Sequence, residues 1–196
     1  FDTETTSLDY RIAQVVGFSV AFDAKDAYYV PLAHDYEGAP EQLDRDTVLN
    51  QIKPLLENDA VQKIGHHLKY DAHVLENHGI HLAGWYFDTM LASYVLNSVA
   101  TRHGMDDVAR LYLSHLTTTY EQVAGKGVKQ KSFNQIEIET AAHYAAEDAH
   151  VTYRLYEVLS DKLKAHPELV NILHNIEMPV ARVLTSMEEN GIQLDL

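Results

Sequence analysis

Strand-type sequence in this chain is confined to its first half, and from residue 136 onward nearly every stretch carries helical periodicity. Residues 12–22 (IAQVVGFSVAF) are rich in β-branched side chains and partly alternate; residues 27–32 (AYYVPL) follow after a turn-like Asp23-Ala24-Lys25-Asp26. The two segments predict an antiparallel pair. Pro31 and residues 34–40 end it, because proline cannot donate to a ladder and Asp, Gly and Pro favour turns. Residues 43–56 repeat apolar side chains at helical spacing, with Pro54 expected to kink or stop that helix. A short strand at 61–65 leading into a helix at about 68–77, ended by Gly79, points to a parallel crossover. Helices over 90–96 with Asp88 as N-cap, over 105–113, over 136–163 and over 169–190 complete the pattern, the last bent or restarted at Met178-Pro179. The expected architecture is an α/β fold with a mixed central sheet flanked by helices, one domain over residues 1–170 followed by a helical exit arm over 171–196.

At 196 residues the chain can bury a sizeable core without covalent staples. The absence of cysteine excludes a disulfide framework, a thiol nucleophile and a cysteine-type zinc site. No apolar run approaches the ~20 residues of a membrane span, so a soluble, cytoplasmic protein with no membrane partner is expected. Twenty-nine acidic against fifteen basic residues argue against coating long nucleic acid, but not against gripping a short end. Most of the twelve histidines stand singly in polar stretches and read as solvated or helix-terminal. The chain opens on Phe1, which reads as a cut inside the first strand and places Asp2 and Glu4 at an end expected to fray.

In Asp2-Thr3-Glu4 the two acids point to one face of a strand, where they repel unless a cation lies between them; a solvated strand end is the alternative. Tyr144 and Asp148 lie one helical turn apart in a stripe with Ala141, Ala145, Val151, Thr152, Leu155 and Leu159. Asp148 is thereby a carboxylate in a core-facing row, which a metal, a cap or a distant arginine must compensate. Glu147 falls about 100° away, toward solvent. Asp71, near the start of its helix, either complements the helix dipole or joins the other acids. Taken together, Asp2, Glu4, Asp71 and Asp148 form an all-oxygen donor set that suits Mg²⁺ or Mn²⁺ and suits zinc poorly. Two such ions can assist an in-line attack of water on a phosphodiester.

Phe1-Asp2-Thr3-Glu4-Thr5, then Gly65-His-His-Leu-Lys-Tyr-Asp71, then Tyr144-Ala-Ala-Glu-Asp148 resemble the three exonuclease motifs of the DEDD superfamily in its tyrosine-bearing subgroup. More narrowly, the chain is similar to the 3′→5′ proofreading domains of bacterial DNA polymerases of the polymerase I type. The likeness runs nearly end to end, through Pro31-Leu-Ala-His-Asp-Tyr36, Phe87-Asp-Thr-Met90, Ala124-Gly-Lys-Gly127, Phe133-Asn-Gln-Ile136 and Asn175-Ile-Glu-Met-Pro179.

The resemblance implies a ribonuclease H-like fold. It also implies a two-metal 3′→5′ exonuclease acting on single-stranded or frayed DNA 3′ ends and releasing nucleoside 5′-monophosphates. By that likeness Asp2, Glu4 and Asp148 hold a first divalent cation, Asp2 and Asp71 a second, and Tyr144 orients the attacking water. Thr5, Leu8, His66, His67, Tyr70, Arg102 and Tyr120 meet the DNA, with Leu8 as a wedge and Tyr120 supporting it. The likeness further implies a monomeric domain whose partner is a polymerase domain of the same parent chain. His66-His67 departs from the Gln-Asn that relatives usually carry, and is expected to make binding more pH-sensitive unless both rings stay neutral. Three rival readings are a ribonuclease D-like RNA 3′-end exonuclease, an HD-type phosphohydrolase suggested by His34-Asp35, and a catalytically silent spacer within a polymerase.

Overall fold

The computed structural model describes residues 1–193; the last residues of the expected exit arm, 194–196, lie outside it. Strands β1 (Asp2–Thr5), β2 (Val15–Ala21) and β3 (Ala27–Pro31) form an antiparallel ladder in the order β1-β2-β3, the hairpin expected from the alternation. Helix α1 (Arg45–Leu56) follows, and then β4 (Lys63–Gly65), α2 (Leu68–Glu76) and β5 (Trp85–Asp88), with β4 and β5 paired in parallel. The strands form two separate ladders, the antiparallel β1-β2-β3 and the parallel β4-β5, where one mixed central sheet was expected. The Phe1 ammonium donates to the Ile64 carbonyl at 2.9 Å and so places β1 beside β4 without a ladder between them. With β2 on one side, that bond on the other and the Phe1 ring 6.0 Å from Phe18, the expected fraying of β1 is not observed.

Helices cover both faces because β2 is buried on both. Val16 is an extra residue in β2, since Thr5 pairs with Val15 and Glu4 with Gly17. This bulge turns Val15 and Phe18 to the face that packs on Leu49 and Leu56 of α1 and Val74 and Leu75 of α2. Val16 goes to the other face, against Ala141 and Ala145 of α6 (Ile138–Lys164). Packed against α6, α3 (Thr89–Leu96), α4 (Met105–Leu113) and the short α5 (Tyr120–Ala124) complete the wall. Helix α5 was not foreseen, although its Thr119-x-x-Gln122 capping box was readable; Thr119 N–H donates to Gln122 Oε1 at 2.7 Å.

Asp44 caps α1 by accepting from the Thr47 N–H, and Pro54 sits in the final turn, so the helix runs on only to Leu56. The C-terminal arm is α7 (Pro167–Ile172), a π-helical turn (Leu173–Glu177) and α8 (Met178–Asn190). The wider turn falls directly before Met178-Pro179, where proline lacks the N–H that a regular helix needs. Leu173, Met178 and Ala181 of this arm enter the main core.

Not all the histidines are solvated as expected: His34, His73 and His103 are buried. His73 of α2 is held by Glu189 through Nδ1 and by Glu188 through Nε2 (2.8 Å), and stacks on Tyr10 at 4.0 Å. Its apolar ring faces fill space while both nitrogens tie α8 to α2, a tertiary role that no local spacing reveals. Among the described residues no helix is long and apolar enough to cross a membrane.

Candidate active site

Asp2 and Glu4 of β1 project on the α6 face of the sheet and meet Asp148 there, with one carboxylate oxygen from each lying within 4.8 Å of the others. Alternation along β1 explains the first pair, and the core-facing row of α6 explains the third. Asp71 approaches from α2 on the other side of β1. Its Oδ1 accepts from the Thr3 N–H at 2.8 Å and the Thr3 hydroxyl at 2.7 Å, which leaves Oδ2 as the oxygen not engaged by Thr3. The fourth acid is therefore fixed to the DxE strand by the residue between the two acids, and it stands outside the close trio.

The electrostatics are those of a site built for cations. Burial pushes the Glu4 carboxyl well above the usual carboxylate range, and the charges of Asp2, Asp148 and Asp71 push it further. Burial and then Asp2 raise Asp148, and the same two causes raise Asp71 against the hydrogen bonds from Thr3. Asp2 is pushed up to about 6 by burial, held back by the Phe1 ammonium. Among the described residues Glu4 Oε1 is buried without a hydrogen-bond partner, and an orphaned carboxyl oxygen beside two more carboxylates fits a divalent ion.

These shifts carry a stability signature. A carboxyl whose folded pKa is raised stabilises the fold below its unfolded pKa, and that contribution is lost as pH rises through the folded value. The metal-free protein is therefore expected to melt several degrees lower at pH 8 than at pH 5, with Asp2's share of the loss falling near pH 6. Mn²⁺ is expected to restore the melting temperature more at pH 8 than at pH 5, as read by calorimetric melting with Mn²⁺ and with chelator.

A cleft opens over the trio. One wall is Thr5 to Leu8 with Tyr70, and the other is Tyr120 with Gln130 to Phe133; Tyr144 and Asp148 lie along its floor. The Tyr70 hydroxyl donates to the Ser7 carbonyl at 2.6 Å and lies 2.5 Å from Thr5 Oγ1. That clamp holds the loop while leaving Leu8, an apolar side chain, 93% exposed among the described residues. Opposite, Tyr120 stacks on Phe133 at 6.5 Å and meets Tyr144 edge-on at 6.3 Å, and its hydroxyl donates to the Lys131 carbonyl. Burial, then the Asp148 charge, raise the Tyr144 phenol far above its usual value, so it keeps its proton at neutral pH.

Of the residues singled out from sequence, Asp2, Glu4, Thr5, Leu8, Tyr70, Tyr120, Tyr144 and Asp148 line this one cleft. His66, His67 and Arg102 do not. His66 Nδ1 bonds the Thr89 hydroxyl at 2.8 Å, His67 opens α2 in a left-handed conformation, and Arg102 lies out at the surface 3.6 Å from Asp107. Burial lowers His66 to about 4 and lowers His67 as well, so the pH sensitivity expected of the pair gives way to neutral rings. Glu147 also differs from expectation: it is half-buried and pins the stretch before α5 by accepting from the Thr118 N–H and from His115 Nε2, both at 2.8 Å. Gln130 to Phe133 escaped the sequence reading as site residues, although the glycine-containing basic stretch before them marked a loop.

A 3′-5′ exonuclease family matches residues 1–164. The chain is 56% identical to DNA polymerase I of Pseudomonas aeruginosa over its whole length while spanning 22% of that protein. It is 41% identical to DNA polymerase I of Rhizobium leguminosarum, spanning 21% of it. Among solved structures it superposes on the POL domain of Pol1 from M. smegmatis in complex with DNA primer-template and dNTP, with a TM-score of 0.74 and 22% identity over 99% of this chain and 29% of that one. It also superposes on Brucella melitensis NrnC with bound Mg²⁺, with a TM-score of 0.66 and 19% identity over 100% of this chain and 88% of that one.

Proposed function

The chain belongs to the 3′-5′ exonuclease family, and on that premise we propose that it removes nucleotides one at a time from single-stranded or frayed DNA 3′ ends as the proofreading domain of a longer polymerase chain. The observation that carries this reading is the convergence of Asp2, Glu4 and Asp148 beneath a cleft that also holds Tyr144 and an exposed apolar wedge. Asp2, Glu4 and Asp148 would hold one divalent cation, Mg²⁺ or Mn²⁺, and Asp2 with Asp71 would serve a second. When bound, the cations supply a stronger nucleophile from water and charge neutralisation at the phosphodiester.

The chain's own residues do the rest. Leu8 inserts beside the terminal base, and Tyr120, backed by Phe133, supports it from the facing wall by apolar and stacking contact that tolerates any base. Tyr70 fixes the Leu8 loop and faces the sugar. Tyr144, protonated throughout the neutral range, holds the attacking water by hydrogen bonding and does not act as a base. Water adds at phosphorus as the bond to the upstream 3′ oxygen breaks, so a nucleoside 5′-monophosphate leaves and the strand retains a 3′ hydroxyl. In this reading residues 1–170 form the catalytic domain and 171–196 lead toward the polymerase domain.

Tyr144→Phe tests the water-holding role. It is expected to lower kcat by roughly 10- to 100-fold with KM and Mn²⁺ affinity close to those of the parent, because only the hydroxyl is removed. A drop in melting temperature with unchanged kcat would instead make Tyr144 a packing residue.

A further inference from the structure

We propose that His34 is a positioning residue of the metal site: it accepts the hydrogen bond of the Tyr29 hydroxyl and so leaves the buried Oε1 of Glu4, the cross-strand neighbour of that hydroxyl, free for a cation. The proposal rests on the assignment of Glu4 as a ligand and goes beyond it, to two residues outside the cleft lining.

The sheet register sets the geometry. Glu4 pairs with Gly17, Asp2 pairs with Ser19, and Ser19 pairs with Tyr29, so Tyr29 stands in the same row and on the same face as Asp2. Its ring leans along β2 over Gly17, where an added Cβ would lie only 2.2 Å from the Tyr29 hydroxyl oxygen. The hydroxyl thus occupies the place of the side chain that Gly17 lacks, directly across the ladder from Glu4. Directly opposed Cβ positions are about 4.5–5.5 Å apart, within easy reach of a glutamate side chain. Burial, and after it the Glu4 charge, hold the phenol proton on tightly.

A buried carboxylate beside a protonated phenol would ordinarily accept its hydrogen bond. Here Glu4 Oε1 has no partner, and the Tyr29 hydroxyl instead meets His34 Nε2 at 2.8 Å. The direction of that bond is fixed from the far side of the ring. His34 Nδ1 lies 2.9 Å from the Ile136 carbonyl, which can only accept, so Nδ1 carries the hydrogen and Nε2 is left as an acceptor for Tyr29. The backbone that carries the ring is anchored as well. Gln42 accepts from the His34 N–H and donates to its carbonyl, both at 2.8 Å, and Asn134 donates to Asp35 at 2.7 Å. The strap 34–36 therefore holds an acceptor where a competing donor would otherwise turn toward the metal ligand.

Calorimetric titration of Mn²⁺ tests this without reference to turnover. His34→Asn keeps a donor near Ile136 but cannot reach Tyr29, and is expected to weaken Mn²⁺ binding by about 10-fold or more, as loss of an outer partner of a metal ligand does. His34→Gln, whose Oε1 reaches the Nε2 position, is expected to stay within about three-fold of the parent. The decisive variant is Tyr29→Phe in the His34→Asn background: with no hydroxyl left to redirect, affinity is expected to return to within about three-fold of the parent. That double variant also carries the test if His34→Asn alone does not fold. A double variant that binds as weakly as His34→Asn, or a His34→Asn protein that binds like the parent, overturns the proposal. Asp2→Asn with Glu4→Gln is the control: if that variant still binds Mn²⁺, or the parent binds none, the ligand assignment itself fails, whereas an intact control confines a failure to His34.

Discussion

Replacing Asp2 with Asn and Glu4 with Gln together is expected to lower metal-dependent 3′→5′ cleavage by roughly 10³- to 10⁵-fold, because the cation environment carries most of the rate in phosphodiester hydrolysis. The same change is expected to raise the melting temperature of the metal-free protein. Glu4 is pushed well above its ordinary pKa by burial and by the charges of Asp2, Asp148 and Asp71, so at neutral pH an ionised carboxyl there is a cost to the fold. Neutral amides of the same shape remove that repulsion while filling the same space. Gel assays of labelled single-stranded DNA and melting curves in chelator check the two halves. A variant inactive but less stable than the parent would mean that the carboxylates hold the strand together and do not serve chiefly as ligands.

The largest loss of stability is expected from Asp88→Ala. The Asp88 carboxylate accepts from the N–H groups of Met90 (2.9 Å) and Leu91 (3.2 Å) at the start of α3, and from those of His67 (3.2 Å) and Leu68 (2.8 Å) at the start of α2. Alanine leaves four donors at two helix starts without their acceptor, at a position where Asp88 itself is only 2% exposed. Removing one N-cap costs about 1 kcal/mol, and stranding buried donors at a second helix adds to it, for a total of roughly 3–5 kcal/mol. For a domain of this length that is on the order of 10 °C in melting temperature. Activity is expected to fall as well, since α2 carries Asp71 and Tyr70. Denaturant melts of Asp88→Ala beside Asp88→Asn, which retains one acceptor oxygen, separate the capping role from simple loss of volume.

Asp88 also illustrates how far sequence reasoning reaches. Its cap on α3 was legible, because an aspartate before Thr89-Met90 at the head of an apolar run is a local signal; its cap on α2, some twenty residues earlier, arises only when β4 and β5 pair. The DxE pair and the Tyr144–Asp148 turn were legible for the same reason, since strand and helix periods fix which side chains share a face. The hairpin of β2 and β3 followed from composition and alternation. What stayed hidden depends on contacts between distant segments. Thr3 locks Asp71 across the sheet, the Val16 bulge decides which β2 residues face α6, and His73 is buried between glutamates of a helix more than a hundred residues away. Histidines standing singly in polar stretches read as solvated or helix-terminal, and nothing local marks the burial of His34, His73 and His103. Glu147 likewise has a helical phase that points outward until the stretch before α5 folds over it.

If Asp2, Glu4 and Asp148 are the metal ligands, cleavage by this chain depends on a divalent cation and proceeds from the 3′ end. The most direct test follows a single-stranded DNA labelled at its 5′ end through a time course with Mn²⁺, with Mg²⁺ and with chelator. The expected result is a ladder of labelled strands shortening by one nucleotide at a time in either metal, with release of nucleoside 5′-monophosphates and no cleavage in chelator. Cleavage that persists in chelator, or early release of the labelled nucleotide from intact strands, would contradict it.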